Sequence, residues 1–380
     1  MTRTTSTIAL LIALAAAPAT TLAAPVLGFD AGDRICRKNG GGFQLQWTET
    51  RFSRNQAQGA DGRCRTVPGY VTRLSTNLRS AAYFQRTLGF PRPPRAGRQA
   101  VQVLDVRGPT GFYGWTIGYA DGTSAVAIDT YLLPVELRTI AAHEHFHLVQ
   151  NGLVHDLFAR APQWLSEGTA NWAEVRQHPD AVVDVTSQFG QLGGGHSRDP
   201  VTKRAYAAVA FWKVVADGPS GPAIIRDTLA AVGARRGKAS TRRVVSALRS
   251  ASAGTLADVM GRYAVALLGG SSVGGLPLPA GFHVAREAQL TTPRTVALEP
   301  LQARFVPIAA GVGSIVTVTA ADADAAADLA RSCTLVPVGG SPVVGTAAGA
   351  VVTWTLPPTN ATLVLTSALS RAISIDLATG

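Results

Sequence analysis

Between Thr139 and Gln150 the chain reads TIAAHEHFHLVQ, which sets His143, Glu144 and His147 in the order H-E-x-x-H. On a helix, residues four apart lie one above the other on the same face, so both imidazoles can direct a ring nitrogen at one ion. Glu144 follows the first histidine by one residue, about 100° round the helix. From there a carboxylate reaches a water on the ion without binding the ion, as a general base in metal-assisted hydrolysis must. His145 faces away from the pair on the same geometry and reads as a packing or surface residue.

Two histidines leave a zinc site one protein ligand short. Gln163 to Glu174 read QWLSEGTANWAE, and Glu167 stands twenty positions after His147, enough for a loop and the start of a second helix. His143, His147 and Glu167 would form a His2Glu set with one open position. The two segments, HEHFH and then WLSEGTANWAE, resemble the gluzincin metallopeptidases, whose second motif commonly reads W-L-x-E-G-x-A.

The resemblance implies that Glu167 is the third zinc ligand and that an acidic residue further along its helix hydrogen-bonds a ligand histidine. Glu174, seven residues on, matches the aminopeptidase-like branch, whereas the four-residue position of thermolysin-like members holds Asn171. Glu174 is therefore the expected partner of the histidine. The resemblance also implies a downstream Tyr or His that donates to the oxyanion of a tetrahedral intermediate. Tyr206, ahead of the Phe211-Trp212 pair, is the first choice and His196 the alternative; His155 and His178 are given no role.

In gluzincins the edge strand of a small sheet pairs with the substrate backbone. SAVAIDTYL, Ser124 to Leu132, directly precedes the metal helix and fits either that edge strand or an interior one. The sequence lacks the Gly-x-Met-x-Asn stretch with which the aminopeptidase branch anchors a free amino terminus, which favours an endopeptidase.

The elements that must hold these residues follow from periodicity. Val71, Leu74, Leu78, Ala81 and Phe84 recur at helical spacing and predict a helix that stops at Gly89. Ala100 to Val106, Phe112 to Ala120 and Ser124 to Leu132 predict three strands of a small mixed sheet beside the metal helix, and Phe43 to Thr48 a further strand. A helix is expected from near Val201, and LGGGH before it is glycine-dense enough for a mobile edge of the cleft. AIIRDTLAAVG, STRRVVSALRS and TLADVMGRYAVALLGG predict a helical lower lobe ending at Gly269-Gly270.

The expected fold is α+β: a gluzincin metallopeptidase domain followed by an all-β sandwich. Residues 1–24, with one Arg before an apolar run and small residues near Ala23 and Ala24, read as a secretory signal peptide. Residues 25–66 form an N-terminal segment pinned by a disulfide between Cys36 and Cys64, a closure that contributes about 3–4 kcal/mol on the chain-entropy model. The metallopeptidase domain spans 67–270, a linker 271–285, and the sandwich 286–380. Cys333 is left over, as a buried small residue or a reactive thiol. Asp322, Asp324 and Asp328 cap a turn more readily than they bind calcium.

The net charge of +11 is spread over scattered arginines, with lysines only at 38, 203, 213 and 238. Without a dense basic run interleaved with aromatics, nucleic acid is not an expected partner. No later apolar run is long enough to span a bilayer. The sequence thus points to a secreted, extracellular or periplasmic, zinc-dependent metallopeptidase with Zn2+ as cofactor and a peptide or protein substrate. The C-terminal domain would serve stability, substrate attachment or cell-envelope association. Two other readings stand beside this one: a non-catalytic zinc-stabilised binding protein, and an exported hydrolase of cell-wall peptides. The intact Glu144 counts against the first, because a structural zinc needs no base.

Overall fold

A computed structural model describes residues 29, 35–40, 42–48, 67–93, 99–107, 112–118, 124–130, 132–182, 186–311 and 315–380. The expected signal peptide and Cys64 lie outside them. Within them the architecture is mixed α+β, with a later region of antiparallel sheets.

Alternating burial builds the first sheet. Strands β1 (Ile35–Gly40), β2 (Phe43–Thr48), β3 (Gln99–Leu104), β4 (Gly114–Gly118) and β5 (Ser124–Asp129) lie in the order β1-β2-β3-β5-β4. β2, β3 and β5 run parallel, while β1 and β4 pair antiparallel at the two ends. The described strands of segment 25–66 therefore extend this sheet. Strand β5, within the SAVAIDTYL stretch, holds an interior place between β3 and β4, and among the described strands the edge beside the helix Pro134–Leu153 is β4 instead. Interior placement accounts for the near-continuous burial of β5, since a strand paired on both sides and covered by a helix has little open surface. Cys36 is disulfide-bonded.

One face of the sheet is covered by α1 (Gly69–Thr87) and α2 (Pro134–Leu153), through Val71, Leu74 and Leu78 of α1 and Leu137, Ala141 and Leu148 of α2. The chain then forms α3 (Leu157–Arg160), α4 (Gln163–Gln177), α5 (Val209–Ala216), α6 (Ala223–Gly233), α7 (Thr241–Ala251) and α8 (Leu256–Gly269). These helices share one large core with Phe146 and Val149 of α2.

The helix expected from Val201 begins at Val209. Val201–Lys203 and Tyr206–Ala208 are short 3-10 turns, separated at Arg204, whose buried guanidinium donates to the carbonyls of His196, Ser197 and Asp199 and to the Tyr263 hydroxyl. That side chain ties a loop to α8, and the backbone around it cannot continue as one helix. The Gly193–Gly195 stretch, expected as a mobile edge, is pinned instead. Gly194 donates to the carbonyl of His283 and accepts from the amide of Ala285, both from the stretch expected as a linker. That stretch also folds back as a hairpin of β6 (Ser272–Val273) and β7 (Leu276–Pro277), with Val273, Leu276 and Leu278 in the large core.

The C-terminal region places β8 (Arg294–Leu298), β9 (Ala303–Ile308), β10 (Ile315–Thr319), α9 (Ala323–Ser332), β11 (Thr334–Pro337), β12 (Val343–Val344), β13 (Thr346–Ala348), β14 (Val351–Thr355), β15 (Ala361–Thr366) and β16 (Ile373–Thr379) in sequence. Two sheets result, β13-β14-β10-β16-β8 and β12-β11-β15-β9, every pair antiparallel. The all-β expectation needs one correction, helix α9. Its Ala-rich sequence has high helix propensity, and Asp322 caps it by accepting from the amide of Ala325 at 2.7 Å. Asp328 pairs with Arg249 and Arg331, so these acidic residues act as a cap and an ion-pair partner. Leu301, Phe305 and Val364 of this region enter the large helical core, and Cys333 is a buried free thiol.

One glycine fixes how the metal helix is seated. A Cβ at Gly233, at the end of α6, would stand 1.8 Å from the carbonyl oxygen of Leu153 and 3.3 Å from Cα of Val154, where α2 ends. Backbone faces backbone, so neither side can give way by a rotamer change. Gly233→Ala is expected to cost about 3 kcal/mol or more, the upper range of overpacking, read as a lower denaturant midpoint with an unchanged slope.

Candidate metal centre

The two motif segments form the two helices that meet at the site. α2 starts at Pro134, whose missing N–H costs nothing in the first turn, and Glu136 accepts from the backbone N–H of Leu133 at 2.7 Å. α4 starts after Pro162 and is held from behind by α5. Trp212 stacks on Trp164 with ring centroids 5.5 Å apart and donates from Nε1 to the Trp164 carbonyl at 2.7 Å. Gly168 permits this approach, since a Cβ there would stand 2.9 Å from the Ala208 Cβ and from Trp212 Cδ1. The glycine after Glu167 thus lets the Tyr206–Ala208 turn lie against the ligand helix.

His143, His147 and Glu167 converge. The two Nε2 atoms are 3.1 Å apart, and Glu167 Oε2 lies 3.4 Å from His143 Nε2 and 3.5 Å from His147 Nε2. Atoms held tetrahedrally about 2.0–2.1 Å from a zinc ion stand about 3.3–3.4 Å from one another. The triangle has that size. All three residues are buried, and together they are the group of side chains among the described residues that could hold an ion.

Glu144, Glu167 and Glu174 are all buried, and among the described residues the ion pairs of Glu167 and Glu174 are with the two histidines. Burial opposes a charge on His143, yet the Glu167 and Glu174 carboxylates outweigh it and hold the imidazole well above its usual range. Burial would likewise raise Glu167, but the two histidines hold it well below the usual carboxylate range. The carboxylates thus favour a positive charge at the triangle, whether a proton on His143 or a bound cation.

The surrounding residues orient this set. Glu174 Oε2 stands 3.5 Å from His143 Nδ1, the place the family resemblance implied for it. His147 Nδ1 is 2.6 Å from Gln150 Oε1. Glu144 points to the edge strand, where the Thr116 hydroxyl donates to its Oε2 at 2.5 Å, and burial raises its pKa. Tyr206 lies near the Glu167 carboxylate; burial, with Glu167 and Glu144 nearby, keeps its phenol protonated well beyond the usual range. Asn171, four residues after Glu167, donates to the backbone carbonyl of Tyr206 at 3.4 Å and ties that turn to α4.

Not every expected residue arrives. His196 is exposed and pairs with Asp199 at 3.3 Å, away from the cluster. His145 lies buried on the other side of α2, 2.6 Å from Gln85 Oε1 and edge-on to Phe43. Three neighbours were not anticipated: Thr116, Gly114 and Gln150. Gln150 ends the metal-helix segment three residues after His147, a spacing that returns a side chain to the same face. Thr116 and Gly114 carried no such signal, because their role depends on which strand lies at the edge.

Gly114 leaves room for Glu144. An added Cβ would sit 2.6 Å from Glu144 Oε1 and 2.9 Å from both its Cγ and Ile140 Cγ2, with no unusual backbone angle to add strain. If Glu144 is the base, Gly114→Ala is expected to lower kcat by roughly 10–100-fold, since about 1 Å of misplacement has that scale of effect. Zinc affinity should stay within about twofold, because no ligand is touched; steady-state kinetics beside a chelator competition checks both.

The chain matches no protein-family model and no curated protein.

Proposed function

We propose that this protein is a zinc-dependent peptide-bond hydrolase of gluzincin type. The observation that carries the reading is the presence of Glu144 beside a complete His143–His147–Glu167 triangle, on the same helix but outside it. A purely structural metal site has no use for a buried, hydrogen-bonded carboxylate at that point.

Zinc held by the triangle supplies the Lewis acidity that makes water a nucleophile near neutral pH. Glu144 takes the proton of the attacking water on the oxygen not engaged by Thr116 and passes it to the leaving amine. Tyr206, protonated and near Glu167, would donate its hydroxyl to the oxyanion that develops on the substrate carbonyl. Glu174 keeps His143 oriented. Among the described strands β4 lies at the sheet edge, and its outer side would offer the substrate backbone a strand to lie along, which suits an endopeptidase.

Export accords with the N-terminal sequence and with the disulfide at Cys36. Among the described residues no helix is long and apolar enough to cross a membrane. The test is hydrolysis of a quenched mixed-peptide library by the zinc-loaded chain. Cleavage that a chelator abolishes and added zinc restores supports the reading; release from purified peptidoglycan alone would move it to a cell-wall hydrolase.

A further inference from the structure

Gln150 has no exposed surface, and both polar atoms of its side chain are engaged. Nε2 donates to the Ser166 carbonyl at 2.8 Å and to Thr169 Oγ1 at 2.6 Å, while Oε1 faces His147 Nδ1 at 2.6 Å. A backbone carbonyl only accepts, so the atom facing Ser166 must be the amide nitrogen. The atom facing His147 is then the amide oxygen, which also only accepts. His147 therefore carries a proton on Nδ1 and, as the neutral ring, turns the lone pair of Nε2 towards His143 and Glu167. Thr169 fits the same direction of donation, because its hydroxyl passes its own proton to the Leu165 carbonyl at 2.6 Å.

Ser166 and Thr169 flank Glu167 on α4. The amide that orients a ligand on α2 thus also grips the turn that carries the third ligand. Resting on the metal-binding reading above, we propose that Gln150 is a positioning residue, an amide clamp between the two ligand helices that sets the tautomer of His147 and its distance from Glu167. Glutamate at this position would still accept from His147 but would turn a carboxylate oxygen onto the Ser166 carbonyl. Methionine would fill the space and make neither bond.

The experiment uses the full chain labelled with 15N-histidine, together with Gln150→Met and Gln150→Glu. In the metal-free wild type, long-range 1H–15N correlations should show His147 protonated on Nδ1. In Gln150→Met the Nε2-protonated form should appear, and zinc affinity, measured by competition with a chromophoric chelator, should fall by about 10–100-fold. Gln150→Glu should lose zinc affinity as well while keeping the Nδ1 proton, which separates the clamp from the tautomer. Should Gln150→Met fail to fold, the wild-type tautomer and Gln150→Glu still decide the matter. A wild-type His147 protonated on Nε2, or wild-type zinc affinity in the variants, would overturn the clamp. A wild type that binds no zinc while His147 holds the Nδ1 proton would instead overturn the metal-binding reading and leave the hydrogen-bond assignment standing.

Discussion

Glu144→Gln is expected to lower kcat for peptide hydrolysis by about 10²–10⁴-fold, the contribution of a positioned general base, while the chain keeps its zinc. Glutamine has the same shape, and its amide oxygen still accepts from Thr116, the partner of the wild-type carboxylate at 2.5 Å. What it lacks is the capacity to take a proton. Because Glu144 lies outside the triangle formed by His143, His147 and Glu167, metal content should be unchanged. Single-turnover cleavage beside elemental analysis reads both quantities. Loss of zinc together with activity would show that Glu144 is a ligand, and undiminished cleavage would show that the base lies elsewhere.

Glu167→Gln is expected to weaken zinc binding by more than about 100-fold, beyond the range of losses typical of supporting residues. The change removes the one carboxylate of the triangle, which is also one of the groups that raise His143. Its effect on stability is larger with the metal than without it. Without zinc, the substitution takes the carboxylate away from two buried histidines, so the unfolding midpoint should fall. With zinc, the wild type gains stability by mass action and the variant does not. Thermal unfolding of both chains, with and without saturating zinc, tests this. An equal zinc-induced rise in both would remove Glu167 from the ligand set.

The candidate ligands are legible in sequence because a metal would impose both residue type and spacing. His143 and His147 share a helix face and Glu167 stands on a second helix, and the fold brings the three into a triangle of 3.1, 3.4 and 3.5 Å. Period-2 and period-3.6 patterns marked α1, α6, α7, α8 and most strands. The order of strands in the sheet was not legible, since β5 and β4 are equally strand-like and only long-range pairing makes β4 the edge. For the same reason Thr116 escaped notice. Glycine content around Gly194 signalled backbone freedom but could not reveal that His283 and Ala285 use it as a pairing site.

The C-terminal region shows a related limit. Alternation identified its strands, yet α9 arises from an Asp-capped alanine run that reads as a turn when acidic residues are weighed for calcium. Its packing on the helical lobe was equally hidden. Val201 donates to the Leu301 carbonyl, and Arg198 accepts from Gln302 and donates to the Arg286 carbonyl. These bonds secure the stretch that leads into the Tyr206 turn, which gives the C-terminal region a structural part in the site.

The most direct test of the central claim is a zinc titration of the metal-stripped chain, with cleavage of a quenched peptide library followed at each step. The reading predicts activity that rises in proportion to bound zinc and saturates at one ion per chain, and no such rise in Glu144→Gln despite the same binding curve. Zinc bound at one per chain without cleavage of any peptide would contradict the catalytic assignment. Cleavage that proceeds in the stripped chain would contradict the metal mechanism itself.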